Sequence, residues 1–557
     1  MYWYSHVLTN GLCISTFKSI IKKVIMNSKK INLPKDGLAG LKENFNADVV
    51  SGFIVFLLAL PLSLGIAKAS EFPPIMGLIT AIVGGLVVSL IMGSKLTIKG
   101  PAAGLIVIVA GAVTDFGGGE TGWHLALGAM FVAALVQIAF GLLKFGKLAD
   151  FFPLPAIHGM LAAIGIIIIA KQLPVLLNVN PSLVAGKGPL ALLGSLPTIV
   201  ANLDPRGAMI GVISLAIMLG WPYLKNSVIG KIPAPLMVLI IAVPAELIMD
   251  FSHTEPSYAL VHIGNLVENL HLNVDFGGFN MPGLFIKYVI MFALVGTLES
   301  LLTVKAIDLI DPYKRKSNNN QDLIAVGVGN AITAILGGLP MISEVARSSA
   351  NVSNGAKTRW ANFFHGFFIL IFVLVASRYI EMIPNAALAA MLVAVGIKLA
   401  HPREFVHTFS VGKEQLAIFL VTIFFTLFED LLVGIAAGML LKIIFHVYHG
   451  VPLSALFKAP TIISFEGDNY LVEIDKAAVF TNYVRIKSRL ESIPPGFNVT
   501  IDLQNTKLTD HSVMENLQHF KHDYEASGGT VTIKGLENHK PLSKHEFAGR
   551  KLVNTNK

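Results

Sequence analysis

Apolar windows of about 15 to 22 residues recur along most of this chain, near 50–67, 74–92, 101–114, 123–143, 155–175, 207–224, 233–250, 284–306, 322–337, 342–352, 361–379, 385–399, 415–428 and 430–448. They read as about fourteen helical segments, several too short to cross a bilayer alone. Two of them are interrupted. Lys99-Gly100-Pro101-Ala102-Ala103-Gly104 and Gly337-Gly338-Leu339-Pro340-Met341-Ile342-Ser343-Glu344-Val345-Ala346-Arg347 each break an apolar run with Gly and Pro and restart it as a half-length helix. From about residue 462 the pattern changes to short apolar runs, which predict strands at Asn469–Ile474, Asn498–Leu503 and Thr530–Ile533. An amphipathic stretch from near Asp510 to about Ala526 predicts a helix between the last two, so the tail reads as a small α/β domain.

Of 557 residues, 54% are hydrophobic and 14% charged, with a mean hydropathy of +0.66, which excludes a soluble enzyme and places the chain among polytopic membrane proteins. The net charge of +8 comes largely from Lys and Arg in short loops beside apolar spans, so topology accounts for it and no nucleic-acid partner is expected. Counted from a cytoplasmic N-terminus, the even-numbered loops hold Lys95/Lys99, Lys144/Lys147, Lys225/Lys231, Lys314/Arg315/Lys316, Lys357/Arg359 and His401/Arg403/Lys413. The opposite side holds Asp115, Glu120, Asp250, Glu255, Glu268 and Asp275. The positive-inside rule then puts both termini in the cytoplasm of a multi-pass protein of the cell inner (plasma) membrane. Three regions are expected: a cytoplasmic N-terminal segment over 1–46, a transmembrane domain over 47–450 and the α/β tail over 462–545. Within the first, Lys29, Lys30 and Lys35 form a basic lead-in, Met26 is an alternative start, and 37–47 predicts a separate interfacial helix. Cys13 is the single cysteine, so neither a disulfide framework nor a cysteine metal site is available. The sequence holds no Walker motif, metal-ligand spacing or nucleophile elbow; no cofactor is expected, nor an enzymatic role.

Divided after about residue 280, the apolar region gives two halves of seven segments, each with its broken third segment. An odd number inverts one half relative to the other, and inverted repeats with discontinuous helices facing at mid-membrane make a transporter, or a channel built the same way. Half-helix N-termini aim free N–H groups at a ligand and favour anions. Pro101, Ala102 and Ala103 open the first half-helix with small side chains that let an anion approach the backbone, and Ser63, just after Pro61 in the first span, is a candidate hydroxyl. The second break offers Ser343, Arg347 and Ser348. A charge at that depth is functional by default; the plainer alternative is that Arg347 pairs with Glu344 three residues earlier. Glu299 is the single acid inside its span, a candidate to bind a proton or, with Thr303 one turn on, to coordinate sodium. A structural carboxylate capped by neighbouring hydroxyls is the alternative there. Asp308 reads as a helix-end charge.

These residues resemble the SulP (SLC26-like) family of inorganic anion transporters. The resemblance covers about 44 to 540 and rests on Ala59-Leu60-Pro61-Leu62-Ser63 through Phe72-Pro73-Pro74-Ile75-Met76-Gly77-Leu78, on Gly100-Pro101-Ala102-Ala103, Glu299-Ser300-Leu301-Leu302, Gln321-Asp322-Leu323-Ile324-Ala325 with Gly329-Asn330, and Ala346-Arg347-Ser348-Ser349-Ala350-Asn351 followed by Gly355-Ala356-Lys357-Thr358. The tail resembles a STAS domain through Thr500-Ile501-Asp502-Leu503 and Thr509-Asp510-His511-Ser512. The resemblance implies a seven-plus-seven inverted repeat, a core domain moving against a gate domain as an elevator, and a homodimer. It implies an anion held between the half-helices opened by Pro101 and Ser343 with Arg347 nearby, and Glu299 with Thr303 in the coupling position. Leu62 stands where many sulfate-type members carry glutamine, which tilts the expectation toward bicarbonate. Glu344 adds a negative charge at the mouth of the second half-helix, either pairing with Arg347 or joining cation coupling. Ser512 aligns with a serine phosphorylated in some soluble STAS proteins, whereas an N-cap role for Asp510 or Ser512 is the simpler reading. The expected function is therefore H+- or Na+-coupled transport of bicarbonate or sulfate. An exchanger, an uncoupled channel, a nucleobase carrier and a membrane-tethered signalling protein acting through its tail are the rivals.

Overall fold

The computed structural model describes residues 33–224, 230, 232–250, 260–264, 272–458, 460–466 and 468–553; Cys13, Met26, Lys29, Lys30, Lys225, Lys231, Glu255 and Glu268 lie outside them. The first helix among the described residues, α1 (Gly37–Ala69), is capped by Asp36, whose carboxylate accepts from Gly37 N at 2.8 Å and holds Lys95 and Arg359 at 2.5 and 2.6 Å. The expected interfacial helix is not separate: 37–47 runs on into the first span, and the only break is a kink at Asn44, whose side-chain amide donates to Gly40 O at 3.1 Å.

Among the described residues, 8 helical stretches are long and apolar enough to cross a membrane: α1, α2 (Pro74–Ile91), α4 (Gly119–Leu142), α5 (Leu154–Leu176), α8 (Pro282–Ile310), α11 (Trp360–Ile380), the stretch Asn385–Val411 that begins with α12 (Asn385–Leu399), and α14 (Leu431–Tyr448). Shorter apolar helices are α3 (Ala103–Asp115), α6 (Pro205–Gly220) and α7 (Ala234–Met249). The set is completed by α9 (Asn319–Ile335), α10 (Val345–Ser353) and α13 (Lys413–Phe428). Every apolar window of the sequence thus corresponds to a helix, at shifted boundaries.

The helices pack most closely in two sets, joined by α1 against α12 and by a shared apolar core. In one, α1 lies on α11 and α4 on α9 and α8; in the other, α5 lies on α12 and α13, and α6 on α12. Lipid tails are as apolar as the side chains they would replace, so such helices associate through close fit, and small residues mark the crossings. A Cβ on Gly85 of α2 would stand 2.4 Å from Gly366 Cα of α11, and one on Gly165 of α5 would stand 2.5 Å from Gly396 O of α12.

The C-terminal α/β region places β3 (Thr461–Glu466), β4 (Asn469–Ile474), β6 (Asn498–Asp502) and β8 (Thr530–Lys534) in one sheet in that order, the last three parallel. Parallel neighbours need crossovers; these are α15 (Phe480–Leu490) and α16 (His511–Ala526). The three expected strands and the expected helix are present, whereas α15, which buries Phe480, Tyr483, Ile486 and Leu490 on one side, was not anticipated. A second sheet runs β5 (Lys476–Ala478), β7 (Thr506–Thr509), β10 (Arg550–Leu552), β9 (His539–Pro541). Asp510 is the N-cap of α16, accepting from Val513 N at 2.8 Å. Its second oxygen takes Lys442 and His446 of α14, each at 3.3 Å, and Lys442 Nζ also donates to Ser512 Oγ at 2.9 Å. A separate contact joins Lys305 of α8 to Asn516 Oδ1 at 2.9 Å. The α/β region is therefore fastened to both helix groups.

Candidate functional site

The two interrupted segments meet. Lys99–Pro101 (β1) and Met341–Ser343 (β2) pair antiparallel with Lys99 opposite Ser343, Gly100 opposite Ile342 and Pro101 opposite Met341. Pro101 has no N–H to extend the ladder, so the chain leaves through an extended Ala102 into α3, whose first turn, Ala103–Leu105, is 3-10. On the other side Glu344 is extended and caps α10, its carboxylate accepting from the backbone N–H of Arg347 at 2.9 Å. Both half-helices therefore begin at one crossing, with their first N–H groups beside it. Ser348 staples them, donating to Glu344 O at 2.6 Å and accepting from Ile98 N at 2.8 Å.

Lys99 does not lie in a cytoplasmic loop as its place in the charge count predicts: its side chain is 0% exposed. Its Nζ donates to Asp322 Oδ2 of α9 and to Ser343 Oγ, both at 2.5 Å. The other oxygen of Asp322 accepts from Ser94 N and Ser94 Oγ at 3.0 and 2.7 Å. Ser300 Oγ accepts from Ser343 N at 3.2 Å, which carries the network onto α8 beside Glu299. The positive-inside count fails here because an ion pair with bonded partners offsets part of the desolvation that otherwise keeps lysine at the membrane edge.

Arg347 is 0% exposed, and none of its three guanidinium nitrogens has a hydrogen-bond partner among the described residues. The anticipated partner, Glu344, binds the Arg347 main chain instead of the side chain. The guanidinium lies against Gly100, where a Cβ would come within 2.4 Å of Nη1. His365 of α11 is fully buried in the same electrostatic neighbourhood. Glu299 is 7% exposed with Oε1 unpartnered, and lies against Gly104, where a Cβ would stand 2.0 Å from that oxygen. An arginine and a carboxylate, both unsatisfied, therefore flank one short segment at Gly100 and Gly104. Burying an uncompensated charge costs several kcal/mol; inside a membrane-spanning bundle such groups mark a path for ions.

Ala102 and Ala103 are buried at the crossing, Thr303 is buried one turn beyond Glu299, and Ser63 is buried with no hydrogen-bond partner for its hydroxyl among the described residues. Ser343 and Ser348 have hydroxyls already engaged in holding the two breaks together. Asp308 closes the end of α8 by accepting from Ser317 N and Oγ at 2.8 and 2.6 Å. Lys99, Ser300 and His365 were not anticipated at the site, and Asp322 was noted only within a motif. A lysine inside a Gly-Pro break and an acid within an apolar span were the available signals for Lys99 and Asp322; His365 had none.

Broken helices crossing inside a polytopic bundle, with unpartnered charge at the crossing, have the build of a membrane transporter. The profile of the Sulfate permease family matches residues 45–422, and the chain belongs to that family. It is 28% identical to Bacillus subtilis YvdB over 415 residues, 73% of this chain and 74% of that protein. It is 25% identical over 403 residues to the bicarbonate transporter BicA of Picosynechococcus, covering 71% of this chain and 69% of BicA. Among solved structures, the transmembrane domain of a cyanobacterial BicA matches with a TM-score of 0.61 at 22% identity, over 71% of this chain and 97% of that one. The structure of SLC26A9 matches with a TM-score of 0.65 at 15% identity, over 94% of this chain and 89% of that one. The protein is thus a multi-pass membrane protein with the fold of these anion transporters.

Proposed function

We propose that this protein is a secondary-active transporter that carries bicarbonate or sulfate across the plasma membrane by coupling it to H+ or Na+. The observation that carries this reading is the buried guanidinium of Arg347, without a hydrogen-bond partner among the described residues, at the crossing of two half-helices. An anion there meets the positive ends of α3 and α10 together with Arg347. Lys99 and Asp322 cancel each other, so the carboxylate of Glu299 remains as uncompensated negative charge, and a proton, or sodium held with Thr303, neutralises it. Glu344 serves the helix cap in this reading, and Pro101, Ala102, Ala103 and Ser63 line the approach. Ser343 and Ser348 act through the backbone they hold.

In the same reading the two helix groups are a core and a gate built from inverted seven-segment repeats, and the core carries the site as an elevator. Both termini are cytoplasmic, the C-terminal region is a STAS-like domain, and the protein works as a homodimer. Uptake of labelled bicarbonate and sulfate into proteoliposomes, with and without an inward sodium or proton gradient, tests it. Gradient-driven accumulation of one anion is expected, abolished by Glu299→Gln. Equilibration that ignores both gradients and survives Glu299→Gln would make the protein an exchanger or channel, and no flux of either anion would refute the substrate class.

A further inference from the structure

We propose that Lys99 and Asp322 are positioning residues, a buried clamp that sets the register of the two half-helix entrances and through it the affinity for the anion. The proposal rests on the transporter reading for its substrate but on separate observations for its substance. The β1–β2 ladder has three residue pairs, one of them at a proline without an N–H, and a two-stranded ribbon of that length does not hold itself together. Ser348 and the Glu344 N–H bridge its ends and Asn330 holds Met341, but the bonds that join both strands to α9 together are the ones Lys99 makes. Its ammonium joins β1 to α9 through Asp322 and to β2 through Ser343, while its backbone N–H donates to Asn362 Oδ1 of α11 at 3.2 Å. Asp322 is fixed in turn by the main chain and hydroxyl of Ser94.

The clamp sits one residue from each element of the site. Lys99 precedes Gly100, against which the Arg347 guanidinium lies; Ser343 precedes Glu344, the cap of α10; and Ser300, bonded to Ser343, follows Glu299. Sliding β1 along β2 would carry Gly100 away from Arg347 and Glu299 away from Gly104 together. An apolar pair of similar volume could stabilise a buried position as well as an ion pair does, but it would not fix direction or register, and the opposite charges add nothing to the net charge an anion meets.

The test compares wild type, Lys99→Met, Asp322→Asn and the double variant in proteoliposomes, measuring KM and Vmax for whichever of bicarbonate and sulfate the wild type carries. Neutralising both partners is expected to raise the anion KM by about tenfold or more while Vmax changes by less than about threefold, because geometry is lost but no group that meets the anion is removed. Lys99→Met alone is expected to be worse than the double variant, since it leaves a carboxylate buried without its cation. Amide exchange over 97–101 and 341–345, measured in detergent without any anion, is expected to accelerate in the double variant. A double variant with wild-type KM, or a loss confined to Vmax, overturns the proposal. Absence of flux in the wild type would instead defeat the transporter reading, and unchanged amide exchange would then still overturn the clamp. If the double variant is not recovered as a monodisperse protein, Ser94→Ala, which loosens Asp322 and keeps the ion pair, is expected to raise KM by about two- to fivefold at constant Vmax; an unchanged KM overturns the clamp.

Discussion

Gly104→Ala should uncouple transport without unfolding the protein. The added Cβ would stand 2.0 Å from Glu299 Oε1, 2.4 Å from Oε2 and 2.5 Å from the carboxyl carbon, whereas ordinary contact begins near 3.4 Å. Gly104 has no left-handed φ, so the backbone accepts alanine and the carboxylate must give way by more than about 1 Å. That group is the end of a flexible side chain, and rotating it aside costs about 1 kcal/mol, too little to unfold the protein. A displacement of about 1 Å in a reacting or binding group can nevertheless cost about 100-fold in function. Gradient-driven accumulation in proteoliposomes should therefore fall by about that factor, with the half-saturating concentration of the coupling ion shifted upward by a similar amount. Gly111→Ala, farther along the same half-helix, serves as control, because its nearest neighbour would be the Tyr288 hydroxyl at 3.1 Å and every other atom lies at 4.0 Å or beyond. Unchanged accumulation and unchanged dependence on the coupling ion in Gly104→Ala would refute the assignment of Glu299.

Arg347→Gln should raise the anion KM by about 10- to 100-fold, the equivalent of one or two charge-assisted hydrogen bonds, and leave expression and α/β-region docking intact; substrate-dependence curves would show it. Lys442→Met should weaken that docking by about 3 to 5 kcal/mol, because Asp510 is left buried without its cation, and Lys442→Met with Asp510→Asn should recover much of the loss. Limited proteolysis between α14 and β3 reads out both. Burial alone would raise the Asp510 carboxyl, but Lys442, His446 and the Val513 N–H prevail and hold it below the usual carboxylate range. A depressed acid contributes stability that is present above its unfolded value and lost as pH falls through the folded one. The Asp510 contribution to docking should accordingly stay constant from pH 8 down to about pH 4 and weaken only in stronger acid, as followed by the same proteolysis across pH.

What could be read in the sequence is what depends on neighbours along the chain. Hydropathy located α1 to α14, since the free energy of entering a membrane is summed residue by residue over a span. The Gly-Pro interruptions located both breaks, because these residues limit hydrogen bonding and backbone conformation wherever they sit. Short apolar runs and the N-cap residue Asp510 located three strands and one helix of the tail. Arg347 and Glu299 stood out for the same reason, being charges too deep in apolar runs to be incidental. The tertiary structure decided what those charges face. Lys99 meets Asp322 across 223 positions of sequence and Ser343 across 244; its place in the Gly-Pro break sets it apart from the loop lysine Lys95, which pairs with Asp36 on the exposed side, but does not say what it meets. The hydroxyls of Ser348 and Ser343, candidates for the anion, bond to the other break, which only the tertiary structure could supply. Desolvation and pairing are properties of the folded surroundings, so the same residue type can be a surface charge or a buried clamp, and the packing of α9 and β2 against β1 is what separates the two.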